Sequence, residues 1–346
     1  MREKRVVGKR AVVERSANHE GKKLISMTIE DATEYFLNLK KTKNLKEKTL
    51  AGYALNMSYF ATWLNERYEG VSVSKITTEI LREYIMWCAK EKQYYENHPF
   101  KQKHYQGKTG ISAASINVRI RVLKVFFATL RDEEVIDRNP AEKLSLMRVD
   151  VDTVQPLTDE ELQRLLASPD QRYFSQFRDY VIMLLIIDTG MRINEICSLE
   201  VKEIDFKARQ IVLPAAKNKN RKLRVLPISF DTVKLLMEIT AENKQHFDSS
   251  YVFLTNRGDP LNEKTVQKAL VKYAEKAGLE KRVSPHVLRH NFAKMAALNG
   301  MDIFSLMRMM GHADISTTRK YVQVNDDEVK HQHFQFSPLK RLVLRK

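Results

Sequence analysis

Four short polar stretches in the second half of the chain carry residue types suited to chemistry at phosphorus. They are TGMRINEICSLE with Arg192, the basic turn KNKNRKLRVLPI, SPHVLRH with His286 and Arg289, and GHADISTTRKY with His312 and Tyr321. Together they offer two arginines, one or more lysines, two histidines and a tyrosine, with no paired carboxylates. Such a set suits a phosphodiester handled without a metal. Displacement at phosphorus spreads negative charge over the non-bridging oxygens, and bidentate guanidinium groups match that geometry. Arg192 and Arg289 could form the clamp. A free tyrosine titrates near pH 10, so only about 0.1% is phenolate at neutral pH, and a neighbouring basic or cationic group must activate it. A leaving alkoxide needs a proton, which a lysine on a hairpin could donate as general acid. Lys217, Lys219 and Lys222 share that turn, and any of them could instead be a phosphate contact. Taken alone, Tyr321 would be a packing tyrosine and the histidines ordinary caps; the joint pattern argues otherwise.

These residues must be held by elements that the hydrophobic pattern predicts. From about Thr28 the chain turns helical, and Leu50, Tyr53, Ala54, Met57, Phe60, Ala61 and Leu64 fall on one helix face. A second helix is predicted over 78–92. The stretch 94–110, YYENHPFKQKHYQGKTG, has no period and reads as a long loop, equally a solvated insertion or a DNA contact. Ser112 caps a following helix whose stripe is Ile116, Ile120, Leu123, Phe127 and Leu130, with Arg119, Arg121 and Lys124 off it. An all-helical module of four or five helices results. Periodicity is lost over 145–156. LTDEELQRLLAS then opens a new helix, with Thr158 and Glu161 forming a capping box. Beyond an apolar helix at 178–188, short β-rich runs near 203–206, 210–214 and 222–227 predict a small antiparallel sheet. Helices resume near Ser229, Asn262, Ser284 and Asp302. The fold class is mainly α (α+β), in two domains.

A chain of 346 residues exceeds one typical compact domain, and its 59 Lys and Arg against 43 Asp and Glu give a formal charge of +16. That imbalance points to a polyanionic partner, with nucleic acid ahead of a membrane surface because the basic residues are spread along the whole chain. The longest apolar run, Val181 to Ile187, is far too short to cross a bilayer. The first residues lack the apolar core of a secretory signal and read as a basic arm. Cys88 and Cys197 fit neither a disulfide framework nor a zinc site, which suits a reducing cytoplasm.

In order and spacing, TGxR followed by Glu195, the hairpin lysine, HxxR, and GH followed by tyrosine resemble the signature of the tyrosine recombinases, or phage integrase family, of Xer-like or transposon-integrase type. His312 follows Arg289 by 23 residues and Tyr321 follows His312 by 9. KTLAGYALNMSYFATWL and SAASINVRIRVLKVFFATL resemble the family's core-binding domain. The resemblance implies a basic arm over 1–27, a helical SAM-like core-binding domain over 28–147, a linker over 148–156, a catalytic domain over 157–328 and an interprotomer segment over 329–346. It implies a C-shaped clamp on DNA.

The same resemblance implies that Tyr321 attacks the scissile phosphate to give a 3′-phosphotyrosyl bond and a free 5′-hydroxyl, with no cofactor. Lys219, favoured by counting back from Pro227, would protonate the leaving oxygen. Arg192 and Arg289 would hold the phosphoryl oxygens, His286 would assist proton transfer and His312 would hydrogen-bond the phosphate. Glu195 reads as structural, fixing an arginine or the local helix. Lys48, Arg119, Arg121, Lys124, Lys217 and Lys222 are candidate DNA contacts. The implied partners are double-stranded DNA with an inverted-repeat core site and a homo-tetramer on two such sites, working through a Holliday junction, with an accessory factor left open. The expected role is integrase or transposase of a bacterial mobile element, in the cytoplasm with the nucleoid. A Xer-like or plasmid resolvase, a type IB topoisomerase and a non-catalytic DNA-binding relative stay as rivals. The tail HFQFSPLKRLVLRK either docks on a neighbouring protomer, folds back or stays a basic tail.

Overall fold

The chain divides into two compact units, Met1–Val151 and Asp152–Lys346, each with its own large apolar core, and a smaller cluster around Phe292 and Met310 lies in the second. The computed structural model describes residues 27–68, 70–93, 109–149, 155–218, 220–319 and 321, with Lys330, His333, Phe334, Ser337 and Leu339 near the C-terminus. The basic arm, most of the 94–110 stretch, the centre of the 145–156 segment, Lys219 and most of the tail lie outside the described residues.

Among the described residues of the first unit, four α-helices pack together: α1 (Ile29–Thr42), α2 (Glu47–Arg67), α3 (Thr78–Lys90) and α4 (Ala113–Asp132). Thr28, Thr77 and Ser112 cap α1, α3 and α4, each side-chain oxygen accepting a backbone N–H of the first turn. Met57, Phe60, Ala61 and Leu64 of the predicted α2 face are buried, as is Trp63 beside them. Gln93 and Thr109 pair antiparallel, so the two ends of the intervening stretch lie side by side. Asn117 pins the end of the unit, its amide donating to Met147 O at 2.9 Å and accepting from Met147 N at 2.8 Å.

α4 corrects one expectation. It packs against α1, α2 and α3 together, so its buried face is wider than the single predicted stripe. Arg119 falls on that face, only 7% exposed. Its Nη1 donates to Tyr84 Oη at 3.1 Å and to Cys88 Sγ at 3.0 Å, and the guanidinium lies 4.7 Å from the Tyr59 ring centroid. Its charge is engaged inside the unit, so it is no surface contact, whereas Arg121 two residues on is exposed.

The second unit opens with α5 (Asp159–Leu166), whose Thr158–Glu161 capping box is present in both directions. α6 (Phe174–Thr189) holds the apolar run, and Val181, Ile182, Met183, Leu185 and Ile186 are all solvent-free at the centre of the core. No helix among the described residues is long and apolar enough to cross a membrane. After α7 (Ile193–Cys197) come β1 (Ile204–Asp205), β2 (Gln210–Leu213) and β3 (Arg224–Pro227), an antiparallel sheet in chain order with Ile211 opposite Leu226 and Leu213 opposite Arg224. The third strand begins two residues later than predicted, because Arg221, Lys222 and Leu223 stay exposed in the hairpin. α8 (Phe230–His246), α9 (Glu263–Lys276), α10 (Pro285–Leu298) and α11 (Ile303–Met310) start where expected, and the structure shows Ser229, Asn262, Ser284 and Asp302 capping them. A short α12 (Ser316–Arg319) precedes Tyr321.

Candidate active site

Two left-handed glycines turn the chain into the site. Gly190 (φ +64) ends α6 and Gly311 (φ +60) ends α11, a conformation that costs other residues a steric clash. The turn at Gly190 places Arg192 just before α7. There its backbone N–H donates to Glu195 Oε2 at 2.9 Å, its Nη1 to Glu195 Oε1 at 3.0 Å, and its Nη2 to Gly311 O at 3.0 Å.

Arg289 comes from the first turns of α10 and is 3% exposed. It donates through Nη1 to Gly190 O and through Nη2 to Met310 O, so one guanidinium ties together the ends of α6 and α11. The same Nη2 lies 3.3 Å from His312 Nε2, while His312 Nδ1 meets Thr318 Oγ1 at 2.8 Å. Thr318 is fully buried and thereby fixes the imidazole so that Nε2 faces Arg289.

Beneath these groups Glu195, 1% exposed, also accepts from Nη2 of Arg224 on β3. Burial would push the Glu195 carboxyl up, but Arg224 and then Arg192 outweigh it and hold the group below its ordinary value. One carboxylate thus faces three guanidinium groups. Burial, with Arg192 adding repulsion, draws Arg289 down to about 9, so it is still charged at neutral pH. A site this short of negative charge is built for an anion.

His286 is exposed on α10 and, with Arg192, Arg289, Ser284, Gln267 and Arg282, lines a cavity of about 410 Å³. One helical turn on, His290 stands with its ring centroid 5.0 Å from that of His286. Its Nδ1 is hydrogen-bonded to the hydroxyl of Tyr321, which packs beside Phe292, Ala293, Leu306 and Met310. Burial pushes the Tyr321 phenol up to about 12, against the pull of Arg289.

The structure therefore brings Arg192, Arg289 and His312 together, puts His286 on the rim and holds Tyr321 against His290. The hairpin between β2 and β3 reaches the same place: Asn220 donates to Gly311 O at 3.0 Å. Lys219, next to it, lies outside the described residues. Lys217 is no candidate for a phosphate: its ammonium donates to Ser198 O at 2.6 Å and Glu200 Oε1 at 2.9 Å, and lies 2.7 Å from Glu203 Oε1. These carboxylates outweigh its burial and raise its pKa, which disfavours an acid role as well. Lys222 is exposed on the hairpin. In the first unit Lys48 and Arg121 are exposed, and Lys124 donates to Glu142 O at 3.2 Å. The sequence reading missed Arg224, His290, Asn220 and Thr318. Only His290 carried a signal, four residues after His286 on one helix face.

The family models bear on this arrangement over most of the chain. Residues 155–328 match the phage integrase family and residues 32–134 match the phage integrase N-terminal SAM-like domain. Tyrosine recombinase XerA of Pyrococcus horikoshii is 34% identical over 227 residues, spanning 64% of this chain and 74% of the relative. Tyrosine recombinase XerC of Pelotomaculum thermopropionicum is 26% identical over 316 residues, spanning 88% and 96%. In fold the chain is similar to the Tn1549 transposon integrase solved with a circular intermediate DNA, at a TM-score of 0.68 and 21% identity, covering 90% of this chain and 100% of that one. It is also similar to a lambda integrase dimer bound to a core site, at a TM-score of 0.62 and 16% identity, covering 87% and 100%. With half of its length matched to the catalytic model alone, the chain belongs to the phage integrase family, the tyrosine recombinases, which break and rejoin DNA at specific sites.

Proposed function

We propose that this recombinase acts on double-stranded DNA as the integrase or transposase of a bacterial mobile element. The observation that carries the DNA chemistry is the surplus of guanidinium charge: among the described residues Arg192, Arg224 and Arg289 gather around the carboxylate of Glu195, beside a half-buried tyrosine. In this reading a scissile phosphate supplies the missing negative charge. Arg192 and Arg289 stabilise its non-bridging oxygens, and His312, oriented by Thr318, hydrogen-bonds the same group.

Tyr321 Oη attacks phosphorus and the bond to the 5′-oxygen breaks, with Lys219 supplying the proton that the leaving oxygen needs. His286, on the cavity rim, assists proton transfer. The phosphodiester energy is kept in the 3′-phosphotyrosyl bond, so rejoining needs no ATP. Four protomers on two inverted-repeat sites exchange strands in pairs. The charge of +16 supports a polyanionic substrate for such an assembly, in the bacterial cytoplasm.

The long stretch between α3 and α4 favours an element-encoded enzyme over a compact chromosome-dimer resolvase. The second reading, Xer-type resolution, is favoured by the names of the sequence relatives. A DNA segment carrying both flanks of the chain's own gene separates them. The mobile-element reading predicts a released circle with joined ends, absent with Tyr321→Phe. Recombination confined to two copies of one site, with no circle, favours the resolvase.

A further inference from the structure

We propose that His290 is a further catalytic residue, which takes the phenolic proton as Tyr321 attacks and returns it when the phosphotyrosyl bond is undone. The inference rests on the reading of Tyr321 as the nucleophile and goes beyond it, because the histidine that the sequence resemblance implies in proton transfer is His286. In the structure the imidazole hydrogen-bonded to the phenol is that of His290, through Nδ1. The two ring centroids lie 5.4 Å apart with their planes tilted at 50°.

The contact is built from both sides. His290 directly follows Arg289, whose guanidinium is anchored to Gly190 O and Met310 O, so α10 is fixed in rotation as well as position. Ser284 caps that helix and Pro285 opens it. Tyr321 packs against Phe292 and Ala293 of α10 and Leu306 and Met310 of α11, the helix that carries Arg289 and the one that ends beside His312. His290 is half-buried, with His286 one turn away and Arg289 adjacent in sequence.

The need for an acceptor follows from the environment of the phenol. Its burial pushes the pKa to about 12, so spontaneous ionisation at neutral pH is rarer than for a free tyrosine. A neutral imidazole with its proton on Nε2 presents a lone pair at Nδ1, the atom that faces the phenol. The step balances without any further reagent. The O–H bond of Tyr321 breaks and its proton goes to His290 Nδ1, while the phenolic oxygen forms the new bond to phosphorus. The P–O5′ bond breaks and its electron pair leaves on the 5′-oxygen, which takes a proton from Lys219. On rejoining, the protonated His290 gives its proton back to the departing phenolate, as microscopic reversibility requires.

The test is single-turnover adduct formation on a duplex carrying the inverted repeat beside the chain's own gene. Two forms of that duplex are used, one with oxygen and one with sulfur at the 5′-bridging position. A thiolate leaves without an acid, so the sulfur form relieves defects on the leaving-group side only. His290→Ala removes the acceptor, and His290→Asn keeps a hydrogen-bonding atom near Nδ1 that does not take a proton. Both are expected to lose about 100-fold in rate on both duplexes with DNA affinity retained, whereas the loss in Lys219→Ala shrinks on the sulfur duplex. A near-parental rate for His290→Asn would show that His290 only orients the tyrosine and would overturn the proposal. So would recovery of His290→Ala on sulfur. If the alanine variant fails to fold, the asparagine variant decides. An adduct formed by Tyr321→Phe would instead bring down the nucleophile assignment itself, a different failure.

Discussion

A β-carbon on Gly311 would stand 2.0 Å from Nη1 of Arg224, so the glycine of the GH pair makes room for a buried arginine. Arg224 has little freedom to retreat, because its Nη2 is held by Glu195 in a pocket closed to solvent. The same imagined carbon would also come within 3.4 Å of Arg192 Nη1. Backbone conformation and charge cluster therefore depend on the same residue.

Gly311→Ala is expected to lose stability by about 1–2 kcal/mol from the left-handed backbone alone. Displacement of the two guanidinium groups should also reduce DNA cleavage by more than the stability loss explains. Denaturant unfolding together with cleavage at a temperature where the variant is folded checks both parts. Parental values in both would contradict the packing described for Arg224.

The buried carboxylate gives a pH signature. Glu195 is held below its ordinary value of 4.5, so its charge contributes stability above that pH and the contribution is lost as pH falls through the folded value. Glu195→Gln is expected to be less stable than the parent at pH 7 by about 3 kcal/mol, since it leaves Arg224 and Arg192 without a counter-charge. The gap should narrow as the pH is lowered from 4.5. Unfolding curves of both proteins from pH 3 to 7 measure it, and a gap that is independent of pH would sink the ion-pair account.

Arg119 and Arg121 on α4 should separate cleanly. Arg119 is bonded to Tyr84 and Cys88 inside the first unit, so Arg119→Met is expected to destabilise by about 2 kcal/mol without changing the salt dependence of DNA binding. Arg121 is exposed. If it meets a phosphate, Arg121→Ala lowers the magnitude of the slope of log K against log salt by about 1 and leaves stability alone. The opposite assignment of effects would contradict the burial of Arg119.

The contrast between those two arginines shows what the sequence makes legible. Helix starts were readable because Ser229, Asn262, Ser284 and Asp302 announce themselves by side-chain chemistry at a fixed local position. Arg192, His286, Arg289, His312 and Tyr321 were readable because their order and spacing form a joint pattern. Arg119 was misread because a helix surrounded by three others buries more than one stripe, and the number of neighbours is not written in the helix itself. Lys217 looked like a free cation in its turn, while its partners Glu200 and Glu203 lie 17 and 14 residues earlier. Arg224 and Thr318 act from behind other side chains, so only the folded geometry reveals them. His290 was in view beside Arg289, yet its contact with Tyr321 spans 31 residues.

The central claim is that Tyr321 is the nucleophile of a metal-free and ATP-free cleavage. It is tested most directly by incubating the protein with DNA from its own genetic neighbourhood in a chelator, quenching with detergent and mapping any covalent adduct by mass spectrometry. The expected result is a 3′-phosphate linked to Tyr321 at one inverted-repeat site, with Tyr321→Phe binding the same DNA but forming no adduct. An adduct on another residue, or tight binding of cognate ends with no adduct from the parent protein, would contradict the account.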